Sequence, residues 1–330
     1  MSPEPGSSPS ETTSQLSPRT REIHGIMWCM VFLVLDALQA VFFGTYLQRM
    51  DSFFTGALVF GVPTILILTW LWFYDRQQLR LAFSDFKALA GLNITAAGAW
   101  LAYLIAVQLL EPAIAFTLFS GILPIAAVAA RRFGFHEALP VRNRLEAAGH
   151  VILILGMLVL AVGTLAGYSG FVRGGILAAS SGLFLAIASG IFITGMLLYG
   201  ARLDSSGVRP LAQFGLRFPL YIVLAIGGYW LGIDAKGPIT PQDILIILTI
   251  GSILLAFPIY AVQKAVSLTS TLTIAAIAAA GPLVVFVLQL AEGRVDYSPA
   301  TAIGLAIYFI GAIAVALGGV KGSVSASAQS

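Results

Sequence analysis

Apolar runs long enough to cross a membrane alternate with short polar, Pro or Gly links along nearly the whole chain. Ten such runs are predicted, at about residues 24–46, 53–73, 86–109, 112–132, 146–166, 173–200, 209–232, 242–263, 268–290 and 299–320. A helix needs about 20 apolar residues to span a hydrocarbon core roughly 30 Å thick, and it satisfies its own backbone amides within the segment. The links carry charge or helix-breaking residues, as at Arg49-Met50-Asp51, Glu111-Pro112 and Glu292-Gly293-Arg294. The predicted fold is therefore all-α, a polytopic bundle of ten transmembrane helices.

The pattern also repeats within itself. Ala106, Val107 and Gln108 recur as Ala261, Val262 and Gln263, Glu137 recurs as Glu292, and Gly149, Gly156 and Gly163 recur as Gly304, Gly311 and Gly318. All seven pairs are 155 residues apart. With glycine at about one residue in ten, three given glycines coincide about once in a thousand offsets, before the other four matches count. The chain is thus predicted to comprise a tail over 1–22, five-helix repeats over 23–167 and 168–320, and a second tail over 321–330.

Composition places the body in lipid, since 58% of residues are hydrophobic, 10% are charged and mean hydropathy is +0.92. A soluble domain carries about a quarter charged residues. The first twenty residues are rich in Ser, Pro, Thr and Glu and read as a disordered tail rather than a cleaved signal. The single cysteine, Cys29, lies in an apolar run and is expected to be a buried thiol.

Charge then orients the bundle. With the N-terminus inside, the inner segments hold Arg19, Arg21, Arg76, Arg80, Lys87, Arg131, Arg132, Arg142, Arg144, Arg202, Arg209, Lys264 and Lys321. The outer loops hold only Arg49, Arg173, Lys236 and Arg294. Basic residues in short loops resist translocation, so both termini are predicted to be cytoplasmic. An odd number of spans per half inverts the second half. Accordingly Arg131, Arg132, Arg142 and Arg144 become Phe286, Val287, Tyr297 and Pro299 at the 155 offset.

From Glu111 to Val162 the chain reads as a helix with Pro124 near its middle, a loop with Glu137, and a Gly149/Gly156/Gly163 helix. Ser267 to Gly318 repeats this with Pro282, Glu292 and three glycines. Each stretch resembles the EamA module of the drug/metabolite transporter superfamily, in which two five-helix modules make a ten-helix carrier, and the resemblance spans about residues 24–320. Two departures stand out. Pro282 lies three residues beyond the position equivalent to Pro124, and His136-Glu137 stands where the family has Gly-Glu. The resemblance implies a secondary transporter with an inverted repeat, exporting or exchanging small metabolites, amino acids first, across a bacterial inner membrane. Drug or organic-cation export and flipping of a lipid-linked substrate are its alternatives within the superfamily.

Charges inside helices cost about 2.5–3.5 kcal/mol each on insertion scales, so those that persist are functional candidates. Asp36 lies about 18 Å and Arg217 about 12 Å from the inner end of their spans. They are expected either to meet substrate, Arg217 taking a carboxylate or phosphate and Asp36 an ammonium or a coupling proton, or to form a structural pair. Gln39 shares the Asp36 face. Gln213, Arg217 and Tyr221 recur every fourth residue and form a polar stripe facing the bundle. Asn93, Trp100 and Tyr103 fall on one arc of the third span, as an aromatic wall with an amide at its inner end or as ordinary packing. Thr117, Ser120 and Pro124, with Pro282 in the second half, mark helices able to bend, the hydroxyls satisfying carbonyls that a proline frees. Glu137 and Glu292 are read as structural, complementing the start of the next helix, and Gly163 with Gly167 as a close helix contact or a dimer seam.

No Walker sequence, metal-ligand cluster, cofactor motif or paired nucleophile and base is present, so a pump, a metal site or an enzyme is not expected. A channel would show polar rings at equivalent positions of several helices. The expected partners are a small-molecule substrate, the lipid bilayer, and a proton or counter-substrate, with no nucleic acid. The chain is expected to be a monomer or homodimer.

Overall fold

The computed structural model describes residues 18–327, except 136–139, 142, 252, 255–256, 259–260, 262–263, 266–267 and 270. Among these the elements are α1 (Pro18–Tyr46), α2 (Ser52–Tyr74), α3 (Arg76–Ser84), α4 (Phe86–Leu109), α5 (Pro112–Ala130) with a 3-10 turn (Arg131–Phe133), α6 (Arg144–Leu165) and α7 (Gly175–Ser205). They continue as α8 (Pro210–Leu216), α9 (Pro219–Trp230), α10 (Pro241–Ile246) running into a π turn (Ile247–Gly251), α11 (Thr271–Ala278), α12 (Gly281–Glu292) and α13 (Pro299–Ser327). No strand occurs among the described residues, which hold one isolated bridge between Leu110 and Val172.

Among the described residues, eight helical stretches are long and apolar enough to cross a membrane, with α8 and α9 together counted as one. Large apolar side chains such as Ile65, Leu66, Phe73, Leu177, Phe184 and Val223 point outward, as lipid rather than water requires. The chain is a multi-pass helical membrane protein.

The two remaining predicted runs differ from the rest. The eighth begins as the short apolar helix Pro241–Gly251, and much of the chain over 252–270 lies outside the described residues. The ninth divides at Ala279-Ala280 into α11 and α12, with Pro282 in the first turn of α12. A proline donates no N–H and is tolerated best in the first turn of a helix, where that N–H would have no partner, so a helix readily restarts there. Residues 18–22 and 321–327, read as tails, are helical, and α3 was not expected. Its charged and apolar residues are interleaved in Arg76-Gln77-Gln78-Leu79-Arg80-Leu81, a pattern too short to stand out beside the spans.

Helix starts follow from local chemistry. Side chains of Asp51, Asp85, Asn143 and Ser298 accept the Phe54, Ala88, Glu146 and Thr301 amides at 2.9, 3.1, 2.9 and 3.0 Å, satisfying donors that each first turn leaves open. Ser298, rather than Glu292, therefore caps α13. Glu137 lies outside the described residues.

The spaced glycines have a packing role. α6 and α13 run antiparallel, with Gly149 against Val315, Gly156 against Tyr308, Gly304 against Leu160, Gly311 against Leu153 and Gly318 against Glu146. A Cβ at Gly149, Gly156, Gly311 or Gly318 would lie 2.5–2.6 Å from the partner backbone, so only glycine allows this approach. The pairs also map onto one another. Moving each partner by 155 turns Gly149–Val315 into Gly304–Leu160, and Gly156–Tyr308 into Gly311–Leu153. Gly163 faces Ala300 in the same seam, and Gly167 turns the chain after α6 at φ +78°.

Candidate functional site

Four helices bring polar and aromatic side chains together inside the bundle. Asp36 and Gln39 are a helical turn apart on α1, Trp100 and Tyr103 on α4, and Phe116 and Phe119 on α5, so each pair projects from one face. With Ser189 and Ile193 of α7 they enclose a cavity of about 30 Å³. Asp36 is half-buried although it lies within the bundle, because the surface it exposes is cavity wall.

Asp36, Trp100, Phe116 and Phe119 also bound a second cavity of about 480 Å³. It continues past Ser120, Leu123 and Pro124 of α5 and Tyr308, Ala312 and Val315 of α13, toward the end of the bundle that carries both termini. Its wall is apolar apart from Asp36 and the hydroxyls of Ser120 and Tyr308, which are 3.1 Å apart. Among the described lining residues of either cavity, Asp36 alone is charged.

The small cavity is unusual in how little its polar groups bond to one another. Ser189 Oγ and Trp100 Nε1 are buried without a partner. Among the described residues, the Asp36 carboxylate makes no ion pair, and neither it nor the Gln39 amide makes a side-chain hydrogen bond. Buried polar groups are normally paired, and each one left open costs about 1–3 kcal/mol. The surrounding rings interlock, with centroids 6.0 Å apart for Trp100–Tyr103 and 5.1 Å for Tyr103–Phe119.

Arg217 lies elsewhere. It sits where the seventh path breaks between α8 and α9, its Nε donating to the Gln213 carbonyl at 3.4 Å and its guanidinium over Phe214 and Phe218 at 5.4 and 5.8 Å. A relay of rings from Phe218 through Phe60 to Trp100 separates it from the Asp36 cavity. The two charges form no ion pair. The break that holds Arg217 also explains Asn93, which donates to Leu216 O at 2.7 Å and accepts from the Leu220 amide at 3.3 Å. It thus occupies backbone groups that the helix ladder leaves open at Pro219, as a lipid environment demands.

The rest of that stripe is packed away. The Gln213 amide donates to Val208 O at 2.8 Å, and Tyr221 is wholly buried against Gly56 and the Phe60 ring. The structure therefore gathers Asp36, Gln39, Trp100 and Tyr103 around one cavity and adds Ser120 and Pro124 beside it. It places Asn93, Gln213, Arg217 and Tyr221 outside both. Thr117 donates to the Ala113 carbonyl, and Ser120 to Thr117 O at 3.3 Å, so neither reaches the Ser120 carbonyl that Pro124 frees. α5 stays helical through Pro124. Sequence reasoning missed Ser189, Phe116, Phe119 and Tyr308; Ser189 is one of several hydroxyls in the apolar run of α7, so nothing in the run singled it out.

The opposite end is filled by buried polar ties. Glu111, with no exposed surface, accepts from the Gly170 amide and the Thr301 hydroxyl, both at 3.0 Å, and from the Gln289 amide. Burial raises its carboxyl, and those three donors oppose the rise. Lys236 Nζ lies 2.6 Å from Asp234 and donates to Leu47 O and Gln108 Oε1, while Asp234 accepts the Ser52 amide at 3.0 Å. Burial lowers the Lys236 ammonium, with Asp234 opposing. Arg294 donates to Gly44 O at 2.8 Å and lies 3.5 Å from Glu292, which accepts from Thr45.

These features define a multi-pass helical membrane protein with an internal cavity, polar at its base and reaching one end of the bundle. No family model and no curated protein matches the chain. Six solved chains match it in fold. One of them, a crystal structure described only as that of a protein, is similar at a TM-score of 0.56 and 18% identity, over 90% of this chain and 97% of that one. At that identity the likeness is one of fold alone.

Proposed function

We propose that this chain is a secondary carrier of ten passages in two inverted five-helix halves, of the EamA type it resembles. It exports or exchanges small metabolites that carry an ammonium group, amino acids first among them, across a bacterial inner membrane, with both termini in the cytoplasm. The observation that carries this reading is Asp36, an intramembrane carboxylate without a protein partner at the junction of two cavities. An acid placed there is costly unless something positive visits it. The α6–α13 seam supports the inverted repeat, because a two-fold axis in the membrane plane would relate its contacts in the way observed. A cavity reaching one end while polar ties fill the other is one of the two arrangements that alternating access requires.

One observation favours the organic-cation alternative. The cavities contain a carboxylate and six aromatic side chains but no described cation to receive a substrate carboxylate, since Arg217 lies outside them. An amino acid would have to place its carboxylate on neutral donors such as Trp100 Nε1, whereas an amine needs only Asp36 and the ring faces. The flippase alternative needs a basic cavity lining, and no Arg or Lys is among the described lining residues of either cavity.

The test is uptake into proteoliposomes of radiolabelled amino acids, the amines that remain when their carboxylates are removed, and organic cations, with and without an imposed pH gradient. Uptake of amino acids supports the first reading. Uptake of amines alone favours the cation reading, and no uptake of any compound defeats the carrier.

A further inference from the structure

We infer that the cavity of about 30 Å³ beside Asp36 is a receptor for a primary ammonium group, and that the protein therefore selects amines with an unsubstituted nitrogen over fully methylated ones. This rests on the carrier reading and names its substrate class.

Size comes first. A cavity of that volume holds one or two water-sized groups, and –NH₃⁺ is close to a water molecule in size. Three methyl groups on the nitrogen make a head several times larger, which the close-packed walls of Trp100, Tyr103, Phe116 and Phe119 exclude.

Chemistry agrees with size. An ammonium head offers three N–H donors that diverge from one atom. The niche offers three acceptors from two helices: the Asp36 carboxylate, the Gln39 side-chain carbonyl and Ser189 Oγ, none of them hydrogen-bonded within the described protein. A proton carried on Asp36 would need the carboxylate alone and would leave Gln39 and Ser189 open. The faces of Trp100 and Tyr103 add attraction for a cation. The body of the substrate then lies in the adjoining apolar cavity of about 480 Å³, which shares Asp36 as its boundary.

A quaternary ammonium gains the ring faces and the long-range attraction of Asp36 but makes no hydrogen bond. It must also stay in the larger cavity, leaving Ser189 and Gln39 open. Sites built to hydrogen-bond a group reject analogues that lack it more strongly than sites of pure shape do.

The experiment uses the purified full chain in nanodiscs and calorimetric titration with 2-phenylethylamine and its N-methyl, N,N-dimethyl and N,N,N-trimethyl derivatives. Affinity should fall along the series, by at least about tenfold from first to last. Ser189→Ala and Gln39→Leu should each weaken the primary amine several-fold while leaving the quaternary one unchanged. That ratio is read within one protein, so a general loss of folding cannot imitate it. Binding of the quaternary amine as tight as the primary would overturn the niche while leaving the carrier reading intact. No binding by any member, with no uptake of amines or amino acids in proteoliposomes, would overturn both.

Discussion

The two ends of this bundle use their polar residues in opposite ways. At the end of Tyr46, Leu109 and Glu292, the buried charges are largely tied, Glu111 to three donors, Lys236 to Asp234 and Gln108, and Arg294 to Gly44 and Glu292, with only Asp51 Oδ2 and two Arg294 nitrogens left open among the charged groups described there. Toward the other end, Asp36, Gln39, Ser189 and Trp100 face cavities and are tied to nothing described. In a lipid-embedded bundle, satisfied polar groups lock helices together, while open ones add nothing to the fold and await a ligand. On the proposed reading, the difference separates a sealed, stabilising end from a poised, binding one. It can be broken by substitutions whose effect on stability should fall in a definite order.

The largest effect is expected at Glu111. Glu111→Ala removes the acceptor shared by Gly170, Thr301 and Gln289, and each orphaned buried donor costs about 1–3 kcal/mol. Because these donors come from the turn after α6, from α12 and from α13, the loss loosens the contacts of the α4–α5 link with all three. The expected outcome is a large drop in melting temperature in detergent, or failure to recover monodisperse protein. Glu111→Gln, which keeps acceptor oxygen, should fall between Ala and wild type. A Glu111→Ala protein as stable as wild type would mean this end is held by apolar packing instead.

A smaller loss is expected from Lys236→Met, which keeps the apolar stem and removes the ammonium that joins the α9–α10 link to the α1–α2 turn and to Gln108 of α4. Carbonyls there can recover water, so the cost should be only about 1–2 kcal/mol. The informative readout is access. In a Cys29→Ser background, a thiol placed at the buried Val107 should react faster with a membrane-impermeant maleimide once Lys236 is replaced. Unchanged labelling would show that Lys236 does not seal this end.

How much of this could be read from the chain divides in the same way. Eight of the ten predicted spans were legible because length and apolar composition encode them directly. The glycine spacing was legible, and these glycines line the seam along which α6 and α13 meet. Asp36 was legible because a charge stands out in an apolar run. Glu111 was not. Beside Pro112 it looks like ordinary link punctuation, and its partners lie 59, 178 and 190 residues away. Asn93 and Arg217 were read either as substrate contacts or as structural residues, and the structure places both at the break in the seventh run. Pro219 gives only a local hint of a break, and which amide fills the opened backbone depends on how α4 packs beside it.

The smallest effect on stability, and the largest on binding, is expected at Asp36. Asp36→Asn keeps the shape of the side chain and removes a charge that no described group balances, so folding should lose nothing and can gain, because an uncharged amide costs less than a carboxylate in an apolar interior. Melting temperature should stay level or rise, while affinity for ammonium-bearing ligands falls by at least about tenfold, since the attraction that draws a cation into the niche is gone. Placed beside Glu111→Gln, the same exchange of carboxylate for amide then has opposite consequences, lower stability at the tied acid and lost binding at the open one. If Asp36→Asn instead unfolds the protein while its ligand affinity per folded molecule is unchanged, Asp36 belongs with Glu111 as a structural acid, and the contrast between the two ends collapses.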